Sequence, residues 1–142
     1  MKIVSDIMTS KVVSLKEMDN LHQARMLLKE HNIRHLPVVS ESTEKYLGLL
    51  TQKDILNNAF NVVESYGFSK LKKYEEKTLI KDVMTPSAMS VSSDTLLKEA
   101  GQIFADKKCS CLPVVDNGKL VGILSSVDFV KLSLHLLDHS SK

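Results

Sequence analysis

Two short segments carry the same pair of side chains at the same spacing: Thr51-Gln52-Lys53-Asp54 and Ser125-Ser126-Val127-Asp128. Each comes straight after an apolar run that reads as a buried strand. A hydroxyl followed three residues later by an acid is the pattern of a capping box, in which two side chains satisfy N–H groups at a helix start, although Asp is shorter than the usual Glu or Gln. An acid in the first turn also suits the helix dipole. The same positions suit a ligand. A helix N-terminus with a hydroxyl is a good phosphate site, and a carboxylate one turn in can accept two charge-assisted hydrogen bonds from the cis-hydroxyls of a ribose. The two readings are compatible, because a ligand can displace a cap.

The residues that would stand near a phosphate differ between the two places. Arg34 and His35 precede the run Leu36-Pro37-Val38-Val39, and Ser110 and Cys111 precede Leu112-Pro113-Val114-Val115. Arg is well shaped to clamp a phosphate, though a solvated loop charge is the plainer reading. A phosphate preference is therefore expected to be stronger beside Arg34. His135 and His139 stand four residues apart, but no third metal ligand is evident, and His31 and His35 share the spacing but straddle a predicted helix-to-strand turn. Cys109 and Cys111 fit neither a disulfide framework nor a paired zinc motif and read as small core residues. Met8 and Met84 read as core fillers. There is no Gly-rich phosphate loop, HExxH or GxSxG, so no catalytic set emerges.

The elements that must position these side chains occur twice. Asp6-Ile7-Met8-Thr9 returns as Asp82-Val83-Met84-Thr85, and the Leu-Pro-Val-Val run returns, both 76 residues later. Gly48 to Asp54 returns as Gly122 to Asp128 at an offset of 74, so the first copy holds two extra residues between Ser40 and Lys45. Strands are expected around Val12 to Leu15 and Ala88 to Val91. Helical spacing of Leu21, Ala24, Leu27 and Leu28, and of Leu96, Leu97, Ala100, Ile103 and Phe104, predicts helices over Asp19–His31 and Thr95–Lys107. Asp19 or Asn20, and Ser93 or Asp94, are the expected N-caps. Strands follow at Leu36–Ser40 and Tyr46–Leu50, and Asn117-Gly118 signals a hairpin in the second copy. Last come helices from Gln52 to about Glu64 and from Ser126 to about His139. The order per repeat is β-α-β-β-α. We divide the chain into repeat 1 (1–64), a linker (65–79) that Gly67 breaks and that has some helical character, and repeat 2 (80–142).

With 142 residues, 43% of them hydrophobic and 25% charged, the chain can build a core. A net charge of +2 argues against a nucleic-acid binder, and the basic residues cluster only at Lys70-Leu71-Lys72-Lys73. Met1 to Ser10 lacks the apolar core of a signal peptide, and no run approaches the roughly 20 apolar residues of a membrane span. The expectation is a cytoplasmic protein with no membrane partner.

The three motifs, each present twice and in order, resemble a tandem pair of cystathionine-β-synthase (CBS) domains, a Bateman module. The resemblance runs from Val4 to about Leu132 and extends more loosely to stand-alone bacterial acetoin-utilisation-type CBS proteins. It implies an α+β fold with two three-stranded sheets, helices outside and a pseudo-two-fold axis, with two clefts that each draw on both repeats. One cleft would use Thr9, Val13 and Ile33 around a base, with Ser125, Asp128 and Ser110 at phosphate and ribose. The other would use Thr85, Met89 and Cys109 around the base, with Thr51, Asp54, Arg34 and His35 opposite. The implied role is a regulatory module for adenosine-containing ligands: AMP, ADP, ATP, S-adenosylmethionine or a cyclic dinucleotide. The ligand would be regulatory, with no cofactor required, the assembly a homodimer and the regulated protein unknown. The alternatives are a ligand-free dimerisation or interaction module, and, last, a small nucleotide hydrolase in which His35 is the one nearby base.

Overall fold

The computed structural model describes residues 2–140. Its chain forms two compact units that cut across the repeats: residues 13–88, and residues 1–12 together with 89–142. Each repeat therefore hands its opening Asp-x-Met-Thr segment to the unit built mainly from the other repeat.

In the first-repeat unit (residues 13–88) the strands β1 (Leu15–Lys16), β2 (His35–Val39), β3 (Tyr46–Thr51) and β4 (Thr85–Pro86) form one sheet in that spatial order. β1 runs parallel to β2, and the other pairs are antiparallel. Helices α1 (Leu21–His31), α2 (Gln52–Tyr66) and α3 (Leu71–Lys77) complete the unit. Leu36, Pro37, Val38 and Val39 are all buried, so β2 is covered on both faces. Its core gathers Leu15, Leu21, Leu36, Val38, Leu50, Ile55 and Ile80, with Met84 packed against it.

The second-repeat unit keeps the plan with thinner edges. Its elements are α4 (Leu97–Lys107), β5 (Cys111–Asp116), β6 (Lys119–Ser125) and α5 (Ser126–Ser140). β5 and β6 pair antiparallel, and single bridges flank them, Val91 beside Val114 and Thr9 beside Ile123. The expected pair of three-stranded sheets is thus corrected to a four-stranded sheet and a two-stranded hairpin with one bridge at each edge. The strand expected at Ala88–Val91 contracts to the Val91 bridge, because only that residue exchanges backbone hydrogen bonds with β5, at 3.0 and 2.8 Å.

Local chemistry explains most boundaries. Asn20 caps α1, accepting from Gln23 N at 2.9 Å, while Gln23 Oε1 accepts from Asn20 N at 2.8 Å. Neither Ser93 nor Asp94 caps α4. Ser93 donates to Asp116 from its backbone and its hydroxyl, and Asp94 accepts from Ser92, so the helix starts later, after Leu96. Asn117 and Gly118 both take positive φ, 52° and 80°, which is the two-residue turn that Asn-Gly favours.

The glycines of the repeated close are explained by the exchanged segments. A Cβ on Gly48 would lie 2.4 Å from Thr85 O and 3.1 Å from Met84 Sδ. One on Gly122 would lie 2.6 Å from Met8 Sδ and 3.0 Å from Thr9 O. The Met-Thr pair crosses the strand so closely that only hydrogen fits beneath it.

Candidate functional site

Each unit builds one corner where a strand opens, its hairpin partner ends and a helix begins. In the first-repeat unit the residue after α1, Asn32, takes a left-handed φ of 52°, and Ile33 N then donates to Leu28 O at 3.0 Å. This turns the chain so that His35 opens β2 directly across from Thr51. Gln52 N donates to Arg34 O at 2.8 Å, which ties the loop to the start of α2. The second-repeat unit repeats the tie, with Cys111 across from Ser125 and Ser126 N donating to Ser110 O at 3.0 Å.

Both hydroxyl–acid motifs form reciprocal capping boxes. Thr51 N donates to Asp54 Oδ2 at 2.9 Å and Asp54 N to Thr51 Oγ1 at 3.2 Å. Ser125 N donates to Asp128 Oδ2 at 2.8 Å and Asp128 N to Ser125 Oγ at 3.3 Å. The box uses only Oδ2 of each carboxylate. All four side chains are half-buried, so the helix start is ordered and reachable from solvent.

The corners differ electrically. Burial, reinforced by the neighbouring Arg34 cation, lowers the His35 pKa, so its imidazole is neutral at pH 7. At the matching position the Cys111 thiol is pushed up to about 12, first by burial and then by Cys109 and Asp128. It is an inert thiol, in keeping with a core residue.

The expected site residues divide between the units. Ile33, Arg34, His35, Thr51 and Asp54 meet at the first corner, Val13 packs against the same core, and Thr85 stands opposite Leu49 on β4. Cys109, Ser110, Ser125 and Asp128 share the second unit with Thr9, bridged to Ile123, and Met89, which is half exposed.

A recess of about 560 Å³ lies against the first corner, lined by Ile33, Arg34 and Gln52 and also by Arg25, Lys29 and Ile55. Arg25 and Lys29 were not among the expected residues. Their signal was the spacing Arg25, Lys29, Asn32 along one face of α1, which leads to Arg34. A smaller recess of about 250 Å³ adjoins Asp128, with Lys131 and His135 in its wall. Among the described residues no group of three or more His, Cys, Asp or Glu could hold a metal ion, and no helix is long and apolar enough to cross a membrane. The arrangement can hold an anion near Arg34 and accept hydroxyl hydrogen bonds at two carboxylates.

Comparison with known proteins identifies the family. The CBS domain model matches twice, over residues 4–61 and 80–135. The fold superposes on a crystal structure of a putative acetoin utilization protein (AcuB) from Vibrio cholerae with a TM-score of 0.82, at 31% identity over 99% of this chain and 96% of that one. CBSX2 of Arabidopsis thaliana, solved in complex with AMP, gives a TM-score of 0.79 at 30% identity over 96% and 98%. The CBS domain pair of protein MJ0100, solved with 5′-methylthioadenosine and S-adenosyl-L-methionine, gives 0.72 at 25% identity over 92% and 94%. The chain belongs to the CBS domain family, as a tandem pair of such domains.

Proposed function

We propose that this chain is a regulatory module that binds adenosine-containing ligands at the two corners. The observation that carries the reading is the pair of capping boxes, each presenting a half-buried carboxylate at a helix start beside a strand opening. The carboxylates suit ribose hydroxyls and the helix starts suit phosphate. Arg34 and Lys29 favour the more highly charged phosphate at the Asp54 corner, since the Arg25 charge is already met by Glu75. The AMP and S-adenosyl-L-methionine complexes of similar proteins support the ligand class. In this reading the chain works in the cytoplasm without catalysis, and a ligand acts on an unidentified partner through its unequal affinity for two conformations.

The test is a thermal-shift and calorimetry panel of AMP, ADP, ATP, S-adenosylmethionine and cyclic dinucleotides on wild type, Asp54→Ala and Asp128→Ala. A ligand at about 100 times its dissociation constant stabilises the fold by about 2.7 kcal/mol. The nucleotide response is expected to fall most in Asp54→Ala. No response to any adenosine compound would sink the proposal.

One observation favours a second, compatible role in self-association. Helix α5 buries no residue and exposes Val127, Val130, Leu134 and Leu137 at helical spacing, and α2 exposes Leu56, Phe60 and Val63. We take each stripe as a homodimer contact. A monomeric mass at micromolar concentration, or a dimer untouched by Leu134→Glu with Phe60→Glu, would count against it.

A further inference from the structure

The segment without a counterpart in the second repeat builds a pocket of its own. Tyr66 ends α2, Gly67 turns the chain at φ 89°, a short 3₁₀ helix spans Phe68–Lys70, and α3 follows. Tyr66, Lys70, Lys73, Tyr74 and Lys77 enclose about 230 Å³. The rings of Tyr66 and Tyr74 stack at 4.4 Å with planes 15° apart and form one wall.

The charge of this pocket is not neutralised internally. Among the described residues no carboxylate pairs with the three lysine ammoniums within 4.0 Å, and the ion pair on α3 joins Arg25 to Glu75. Glu75 is 1% exposed and stands on the opposite face of α3, where Arg25 grips it with bonds of 2.9 and 2.7 Å. That grip, together with Leu21 N donating to Thr78 O at 2.9 Å, holds α3 in place. The lysines are therefore presented on a fixed frame, which lowers the ordering entropy that a ligand must overcome.

We propose that this pocket binds a small phosphate-bearing anion. Lysine offers a compact charge that meets phosphate oxygens from several directions, whereas a planar carboxylate is better matched by the fork of an arginine, as at Arg25 and Glu75. The Tyr66 and Tyr74 side chains, which hydrogen-bond to each other, leave one phenol hydrogen to donate to the same oxygens. The site needs neither base nor ribose, so it is independent of the corners at Asp54 and Asp128.

The test is calorimetry of inorganic pyrophosphate against the full chain at low salt, with wild type, Lys73→Gln/Lys77→Gln, Lys70→Gln, Lys72→Gln and Arg34→Gln. Wild type should show saturable binding that weakens with salt. The double variant should bind at least about tenfold more weakly, Lys70→Gln should also weaken, and Lys72→Gln should match wild type, while Arg34→Gln should remove only the share of the signal that belongs to the Asp54 corner. Lys70→Gln keeps the result readable should the double variant unfold. The proposal is overturned by the absence of saturable binding, by loss in Arg34→Gln with the lysine variants intact, or by equal losses in Lys72→Gln and the pocket variants.

Discussion

The two units share a corner and differ in what fastens the rest. In the first-repeat unit, α1 is capped by Asn20 and tied to α3 by Arg25 and Glu75, and the hairpin is flanked by two-residue strands. At the positions 76 residues later stand Leu96, which supplies no cap to α4, and Gly101, which lies against the Phe129 ring. That hairpin is flanked by single bridges, and α5 has no fully buried residue, packing only Phe129 and Leu132 partly against the core. The hydroxyl–acid box at the strand-to-helix corner keeps its residue types in both units, whereas the fasteners do not, so the box is the part whose chemistry is repeated. The first-repeat unit should be the more firmly held.

The largest test of that contrast is Arg25→Ala. It strands the Glu75 carboxylate, whose side chain is 2% exposed, without its counter-charge. Loss of one partner of a buried pair costs about 3–5 kcal/mol. Glu75→Gln should cost less, because the Arg25 side chain is 36% exposed and water can hydrate it. Urea denaturation reads both. A loss below about 1 kcal/mol in Arg25→Ala would remove the main fastener from the comparison.

The exchanged Met-Thr segments give the next test. Gly48→Ala places a methyl 2.4 Å from a backbone carbonyl, that of Thr85, whereas Gly122→Ala first meets the thioether of Met8, which can swing aside. Overpacking costs about 1–3 kcal/mol, and Gly48→Ala should lie at the upper end with Gly122→Ala below it. Equal losses would mean that Thr9 O, 3.0 Å from where the methyl would stand, is as unyielding as Thr85 O.

These contrasts also mark what the amino-acid sequence alone could show. The capping boxes, the Asn117-Gly118 turn and the Asn20 cap are local, with donor and acceptor three residues apart or fewer, so their residue types announce them. The β-α-β-β-α order was legible for the same reason. The ownership of Asp6 to Thr9 and of Asp82 to Thr85 was not, because the two copies are nearly the same and either could cross either strand. The start of α4 was misread because Ser93 and Asp94 bond within their own turn and to Asp116 instead of to the helix. Arg25 meets Glu75 across 50 residues of chain, a distance over which spacing carries no signal. At the candidate site, Thr51, Asp54 and their copies stood out as repeated pairs, while Arg25 and Lys29 line the recess by virtue of where the end of α1 falls.

A smaller effect is expected at the helix starts. Asn20→Ala should destabilise by about 1 kcal/mol, and Leu96→Asn should stabilise by up to about the same amount. Leu96 is half exposed and already extended at φ −64° and ψ 138°, so the new side chain can reach the first turn of α4 without moving the backbone. Thermal unfolding of the two variants should shift in opposite directions. A null effect at Leu96 would show that α4 is held by packing alone.

At neutral pH the smallest effects belong to the matched positions His35 and Cys111, which should act at opposite ends of the pH scale. Folding lowers the His35 pKa from its ordinary 6.5. As pH falls below 6.5 the unfolded chain takes up a proton that the folded chain refuses, so stability drops until the lowered folded value is passed. Folding raises the Cys111 pKa from 9.0 to about 12, so between those values the unfolded chain loses a proton that the folded chain keeps, and stability drops as pH rises. His35→Gln should therefore flatten only the acid limb of a stability–pH curve, and Cys111→Ala only the alkaline limb. Both replacements also change packing, which displaces the whole curve, so the slope of each limb is the quantity to compare. A change of slope at the wrong limb would mean that burial at these two positions does not set the pH response, and that the electrical difference between the corners lies with Arg34 alone.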